Sequence, residues 1–272
     1  MKSTLSPLLV KAHASGRGIV EVTPESAGWK HVGFRALRLA AGESDTVHTA
    51  QRELCLVVLT GSVDVSVAGQ TFPALGTRDS VFAEVPPAAL YVPPGHEVRV
   101  SAVRDAEVAL CTAPSTGTHP LRLIDPAAMR RTTRGTGSNT RHVCDILPHD
   151  DPGADHLLVV EVITPAGHSS SYPPHKHDRD AMPEETQLEE IYYHRLNPPQ
   201  GFAFQRVYTD DRSLDESMAV ENHDTVMVPR GYHPCVAPHG YDLYYLNVMA
   251  GPSRHWQFKN DPAHEWMLRP KA

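Results

Sequence analysis

No uninterrupted apolar run in this chain nears the roughly 20 residues that a helix needs to cross a bilayer. Basic residues are in the minority, 25 Lys and Arg against 32 Asp and Glu, for a net charge of −7. A surface that follows phosphates needs the opposite balance, so no nucleic acid is expected as a partner and no membrane. Cysteine is scarce: Cys55, Cys111, Cys144 and Cys235 stand far apart and form no CxxC pair. Scattered thiols suit a reduced, mostly buried set in a cytoplasmic protein rather than a disulfide framework. The opening MKSTLSPLLVKAHASGRG holds an apolar scrap too short and broken for a signal peptide. Helical periodicity is also in short supply, and the fair helix candidates are short, as around Pro126–Arg131.

What the chain has instead is turns and short β-type runs. The 24 prolines and 18 glycines punctuate segments such as ELCLVVLTG, HLLVVEVIT, EIYYHR, FAFQRVYT and DLYYLNVMAG. Strands so closely spaced predict an all-β fold of sandwich or barrel type. At 272 residues the chain suits one large domain or two ordinary ones, and the halves resemble each other. In each, an acidic residue opens an apolar strand, and a later strand ends in Val-Pro-x-Gly followed by histidine: LYVPPGHEV in the first, VMVPRGYHP in the second. The sequence therefore predicts two tandem β-barrel units, 1–133 and 134–272, joined within the Arg- and Gly-rich PAAMRRTTRGTGSNTRH.

Histidine is the outlier, at 17 copies. In SSSYPPHKHD, His175 and His177 lie two apart, so an extended backbone turns both to one side and Lys176 to the other. Glu190, Tyr192 and His194 share a strand face by the same count, and the Gly turn of VMVPRGYHP delivers His233. Three imidazoles and a carboxylate suit a divalent transition metal such as Zn, Mn, Fe or Ni, with positions left open for substrate.

The HxH pair, the strand-opening Glu, the glycine-turn His and a late Asn resemble the metal motifs of the cupin superfamily. That resemblance implies two jelly-roll-like barrels, with His175, His177, Glu190 and His233 as ligands and Asn247 as the trailing Asn. Twelve residues, Asp178 to Glu189, separate His177 from Glu190, more than the usual pattern has, and they make Glu189 a competitor for the ligand role. In the first half the pattern is eroded: His48 and Glu53 are spaced correctly, but Thr46 stands where the first histidine belongs and His96 follows its glycine at once.

SSSYPPHKHD, LEEIYYHR, PPQGFAFQRVYTDD and VPRGYHP…NVMAGP are together similar to the 5-deoxy-glucuronate isomerases of bacterial inositol catabolism. This likeness covers most of the chain and implies conversion of 5-deoxy-D-glucuronate to 2-deoxy-5-keto-D-gluconate, with the metal in the second cupin unit. It makes the Asp178–Glu189 insert a loop between ligands that borders the substrate. Tyr192, His194 and Glu189 are the candidates for moving the proton between C1 and C2. Arg206, Tyr208, Asn247 and Arg179 are the substrate-binding candidates, Arg206 either as a clamp on the uronate carboxylate or outward in a surface ion pair, with Arg134 and Arg141 as alternative clamps. Trp256 and Trp266 are expected to pack against a barrel. A uronate is the expected partner, and exposed barrel edges make a homo-oligomer plausible. The rival readings are a related deoxy-keto-uronate isomerase of pectin breakdown, a metal-dependent cupin dioxygenase and a sugar-binding storage bicupin.

Overall fold

The computed structural model describes residues 5–268. The fold is almost entirely β. In the first unit an eight-stranded sheet runs Gly18–Val22, Gly33–Leu39, Glu97–Pro114, Arg52–Val67, Ala88–Val92, Arg122–Ile124, with Ser44–His48 and Gln70–Leu75 pairing onto its two long strands. The register of Arg52–Val67 against Glu97–Pro114 shifts between Val58 and Val63. Bulges of this kind let one strand bend round a barrel corner.

The second unit is built from a seven-stranded and a four-stranded sheet. The larger runs Leu9–Val10, Thr225–Val228, Glu189–Asn197, Asp242–Ala250, Leu158–Thr164, Arg141–Leu147, Arg130–Arg134. The smaller runs Ser169–Ser170, Cys235–Val236, Phe202–Tyr208, Asp215–Glu221. Ala203, Val207, Met218 and Val220 from the small sheet meet Val143, Val160, Val162 and Tyr192 from the large one in a common core. Phe202–Tyr208 alternates because only one of its faces is covered.

The central strands of the large sheets do not alternate, since both of their faces are buried. Leu54, Leu56 and Val58 fill the first barrel, while Cys55, Val57 and Leu59 face the second unit. Across that junction Cys55, Phe34, Tyr91 and Cys111 share one core with Cys144, Ile191, Tyr193, Tyr244 and Val248. A fully buried Val, Leu, Ile or Phe side chain contributes roughly 1.5–3 kcal/mol, so this shared core, more than the connecting turn, holds the units together. All four cysteines are buried and unbridged, as expected.

Two expectations are corrected. Pro126–Arg131 is not a helix: Asp125 caps a single 3-10 turn, Pro126–Ala128, through the Ala127 N–H at 2.9 Å, and a strand follows. That strand, Arg130–Arg134, crosses the expected joint between 133 and 134 and pairs with Arg141–Leu147 at the sheet's edge. Its arginines are edge-strand charges, which the sequence disguises as linker. Leu9–Val10 also belongs to the second sheet, through pairing with Thr225 and Val226.

Candidate metal centre

His175 and Lys176 pair with Lys259 and Asn260 as a short strand, which keeps the segment extended and turns His175 and His177 the same way. Lys176 points opposite into a buried ionic cluster, its Nζ 2.7 Å from Asp178 Oδ1 and 3.3 Å from both Glu185 oxygens. Glu190 lies on a central strand, between Val228 and Met249 of its neighbours. His233 follows a turn that needs glycine: Gly231 has φ +91°, and a Cβ there would stand 2.5 Å from the Tyr208 carbonyl oxygen.

These elements bring nitrogens of His175, His177 and His233 within 4.8 Å of one another, the one such cluster among the described residues. Glu190 Oε2 is 3.1 Å from Nε2 of both His177 and His233. The Nδ1 atoms of these rings face carbonyls, His177 towards Leu188 at 3.2 Å and His233 towards Gly231 at 2.8 Å. A neutral ring that donates from Nδ1 presents a lone pair at Nε2. Two lone pairs and a carboxylate oxygen thus converge on one buried point, and Nε2 of His233 has no hydrogen-bond partner. Acceptors facing acceptors call for a cation, and this donor set fits a divalent transition metal.

Without a cation the charges divide: His175 is pushed towards the neutral form, whereas Glu190 draws a proton onto His177. Burial, then His233 and His177, hold the His175 imidazole neutral well below the usual histidine range. Burial opposes charge on His177 too, but Glu190 outweighs it and raises its pKa. Burial pushes the Glu190 carboxyl up, yet His233 and His177 together hold it below the usual carboxylate range.

A cavity of about 290 Å³ opens on this cluster and is lined by His175, Glu190, Tyr192, Asn247, Tyr245 and Arg141, among others. Asn247 donates from Nδ2 to Glu190 Oε1 at 2.6 Å, which orients the carboxylate. Tyr192 places its hydroxyl 3.2 Å from Ser171 Oγ. Burial, then the Glu190 charge, raises its phenol pKa well above normal and keeps it protonated.

Five other candidates do not reach this cavity. His194 lies deeper in the barrel, where Nε2 is bound to Gln205 Oε1 at 2.9 Å. Glu189 faces the opposite side of its strand, and its carboxylate accepts the backbone N–H groups of Lys30, His31 and Val32 at 2.8, 2.7 and 2.9 Å. It is a bond between the units, not an acid or base at the cavity. Arg206 is exposed and forms a two-pronged ion pair with Asp215, both contacts at 2.7 Å. Tyr208 shares that outer side, donates to Asp261 at 2.8 Å, and packs against the guanidiniums of Arg206 and Arg212. Arg179 is exposed, 3.6 Å from Asp210, on a hairpin of Asp178–Ala181 with Glu185–Gln187 that does not border the cavity. Tyr245 and Ser171 were missing from the candidates. Counting two back from Asn247 along its strand finds Tyr245, whereas nothing in the sequence marks Ser171. Trp256, expected to pack against a barrel rather than stack on sugar, lines the cavity as well.

In the first half, His48 is exposed and 3.6 Å from Glu97. Glu53 accepts backbone N–H groups from Asp155, His156 and Leu157 at 2.8, 2.7 and 2.6 Å.

Fold and donor set together define the class: a cupin with a cluster of metal-ligand type in its second unit. Similarity along the chain then gives the family. Residues 8–267 match the KduI/IolB family, and the chain belongs to it. It is 51% identical over 269 residues to the 5-deoxy-glucuronate isomerase of Geobacillus kaustophilus (strain HTA426), covering 98% of this chain and 97% of that one. Against the 5-deoxy-glucuronate isomerase of Bacillus subtilis (strain 168) the identity is 52% over 248 residues, covering 91% and 92%. The crystal structure of an IolB-like protein from Salmonella typhimurium LT2 superposes with a TM-score of 0.94 at 50% identity, over 96% of this chain and 99% of that one. An oxalate decarboxylase from Bacillus subtilis shares the fold alone, with a TM-score of 0.65 at 13% identity over 95% and 80%.

Proposed function

We propose that this chain converts 5-deoxy-D-glucuronate to 2-deoxy-5-keto-D-gluconate, an aldose–ketose isomerisation, in the cavity bounded by His175 and Glu190. The observation that carries this is the convergence of His177, His233 and Glu190 at 3.1 Å contacts beside a small cavity that His175 and Glu190 line, in a chain about half identical to named isomerases of that substrate. His175, His177, Glu190 and His233 would hold one divalent transition metal. When bound, such an ion supplies Lewis acidity towards a carbonyl oxygen.

The remaining work falls to the chain's own groups. Asn247 fixes Glu190 by a hydrogen bond to Oε1, so only Oε2 turns towards the histidines. As the hydrogen on C2 moves to C1, the Tyr192 hydroxyl, held by Ser171, gives its proton to the oxygen that starts as the aldehyde and ends as the C1 hydroxyl, and takes back the proton that the C2 hydroxyl loses in becoming the ketone. With Glu189 and His194 outside the cavity, the hydroxyl residues that line it are Ser171, Tyr172, Tyr192 and Tyr245. The walls of Val143, Val160, Val162 and Phe258 keep bulk water from the reacting carbons. The proposed setting is the cytoplasm, with the small uronate as the partner. No helix among the described residues is long and apolar enough to cross a membrane.

Elemental analysis of the purified protein, paired with turnover of 5-deoxy-D-glucuronate before and after chelation, tests this directly. The expected outcome is about one transition-metal ion per chain and activity lost on chelation, then restored by that ion. Turnover that survives complete chelation would refute the metal role. In deuterated water, solvent deuterium at the receiving carbon is expected for the proton route, and its complete absence would point to a hydride shift.

A further inference from the structure

Arg141 begins the strand Arg141–Leu147 and shares the inward parity of Val143, which packs in the second barrel. Arg141 lines the same cavity as His175 and Glu190. Among the described residues its one hydrogen bond runs from Nη1 to the Asn139 carbonyl at 3.1 Å, and no carboxylate pairs with it. Arg78, Arg122, Arg195 and Arg206 all have such a partner. Asp145, on the same strand, is taken by Arg130 at 2.7 Å and lies 3.7 Å from Arg134. Arg134 lines the cavity too, 5.9 Å from the Trp256 ring centroid. Burial, opposed by Tyr245 and reinforced by Arg134, lowers the Arg141 pKa. Arg134 shares Asp145 with Arg130, whereas Arg141 has no carboxylate partner among the described residues, a charge that an anion entering the cavity would balance.

We propose that Arg141 binds the C6 carboxylate of the uronate, with Arg134 as the more exposed second cation, and so sets which end of the sugar meets the histidine cluster. This rests on the assignment of the cavity as the reaction site. A uronate carries its aldehyde and its carboxylate at opposite ends, so a cation that holds C6 leaves C1 and C2 to the other wall. The planar guanidinium fork matches a carboxylate in two parallel hydrogen bonds, and it fixes orientation in a way that an ammonium cannot. Arg141 is thus a substrate-binding and specificity residue, whereas Arg206 forms an outer ion pair with Asp215.

The test compares wild type, Arg141→Met, Arg141→Lys and Glu190→Gln on 5-deoxy-D-glucuronate. As a competing ligand it uses 5-deoxy-D-glucose, which carries a hydroxymethyl group in place of the carboxylate. Arg141→Met should lower kcat/KM for the uronate by about 10- to 100-fold, the worth of hydrogen bonds to a charged group, with metal content and melting temperature unchanged. The inhibition constant of the neutral aldose should stay the same. Added guanidinium ion should restore part of the lost activity, and Arg141→Lys should fall between the two. An unchanged kcat/KM in Arg141→Met, or an equal loss of affinity for both sugars, overturns the proposal. If Arg141→Met does not fold, the same ratio of sugars in Arg141→Lys decides, and an unmoved ratio refutes the clamp. Glu190→Gln separates the two levels: if that variant keeps full activity, the cavity itself is misassigned, whatever Arg141 does.

Discussion

The imidazole of His194 is fully buried, and desolvation, offset only in part by its hydrogen bond to Gln205, brings its pKa down to about 4. An unfolded histidine titrates near 6.5, so between these values the unfolded chain binds a proton that the folded chain refuses. Stability therefore falls as pH drops below about 6.5, and the loss is complete near pH 4, at about 3 kcal/mol on the scale of 1.36 kcal/mol per pH unit. In metal-free protein, denaturant unfolding at pH 7 and pH 5 should show wild type losing about 2 kcal/mol more than His194→Gln. Identical pH dependences would show that burial of this ring costs nothing. Tyr192 is the opposite case, an inward residue that does face the cavity. Removing its hydroxyl in Tyr192→Phe should cut kcat by about 100-fold or more and leave the metal stoichiometry unchanged. Loss of metal along with activity would make Tyr192 structural instead.

Among the elements, the short HKH strand and the turn at Gly231 must be held in step for His175, His177 and His233 to converge. Lys176 and Asp178 do this. Lys176 Nζ bonds Asp178 Oδ1 at 2.7 Å, Asp178 Oδ2 accepts the Gly231 N–H at 2.8 Å, and the Gly231 carbonyl receives His233 Nδ1 at 2.8 Å. Lys176→Met would leave Asp178 and Glu185 as poorly compensated carboxylates, a loss of about 3–5 kcal/mol in stability. It should also weaken metal binding by about 10- to 100-fold, as removal of a ligand's supporting partner does. Competition with a chromophoric chelator measures this, and an unmoved midpoint would rule the tether out. Much of the arrangement was legible in the sequence because it depends on parity: counting in twos along strands pairs the two histidines and sets Tyr192 with Glu190, while Asn247 comes from the cupin resemblance alone. Parity does not say which face is the inside, so it leaves Arg206 open between a substrate clamp and a surface ion pair, and the structure has the ion pair. Parity says nothing of depth either, and His194 shares the face of Glu190 but stops short of the cavity. Arg130–Arg134 escaped for another reason: an edge strand bearing charges has the composition of a linker.

At the scale of the whole molecule, the two units hold each other by matched glutamates. Glu53, from the first unit, receives the N–H groups of Asp155, His156 and Leu157, while Glu189, from the second, receives those of Lys30, His31 and Val32. Glu53 pairs across its sheet with Ala113, and Glu189 pairs with Ala250, both alanines lying in the shared core. Glu53 is therefore the counterpart of Glu189, not of Glu190. The inward position beside it is Leu54, which fills the first barrel. What the spacing from His48 presents as a worn metal motif is one residue out of register, and that residue decides between a ligand and a bond across the interface. Removing such a clamp exposes several buried N–H groups at once, at a cost of about 3 kcal/mol for hydrogen bonds to a charged acceptor. Because the shared core joins both units, they should unfold together. Glu53→Ala, although far from the histidine cluster, should then lower a single melting transition by roughly 5–10 °C and carry the metal-binding unit down with it. Calorimetry on the metal-free protein reads this directly. Two separated transitions, with the second unit still melting at the wild-type temperature, would mean that the units are independent and that the paired glutamates are no more than local caps.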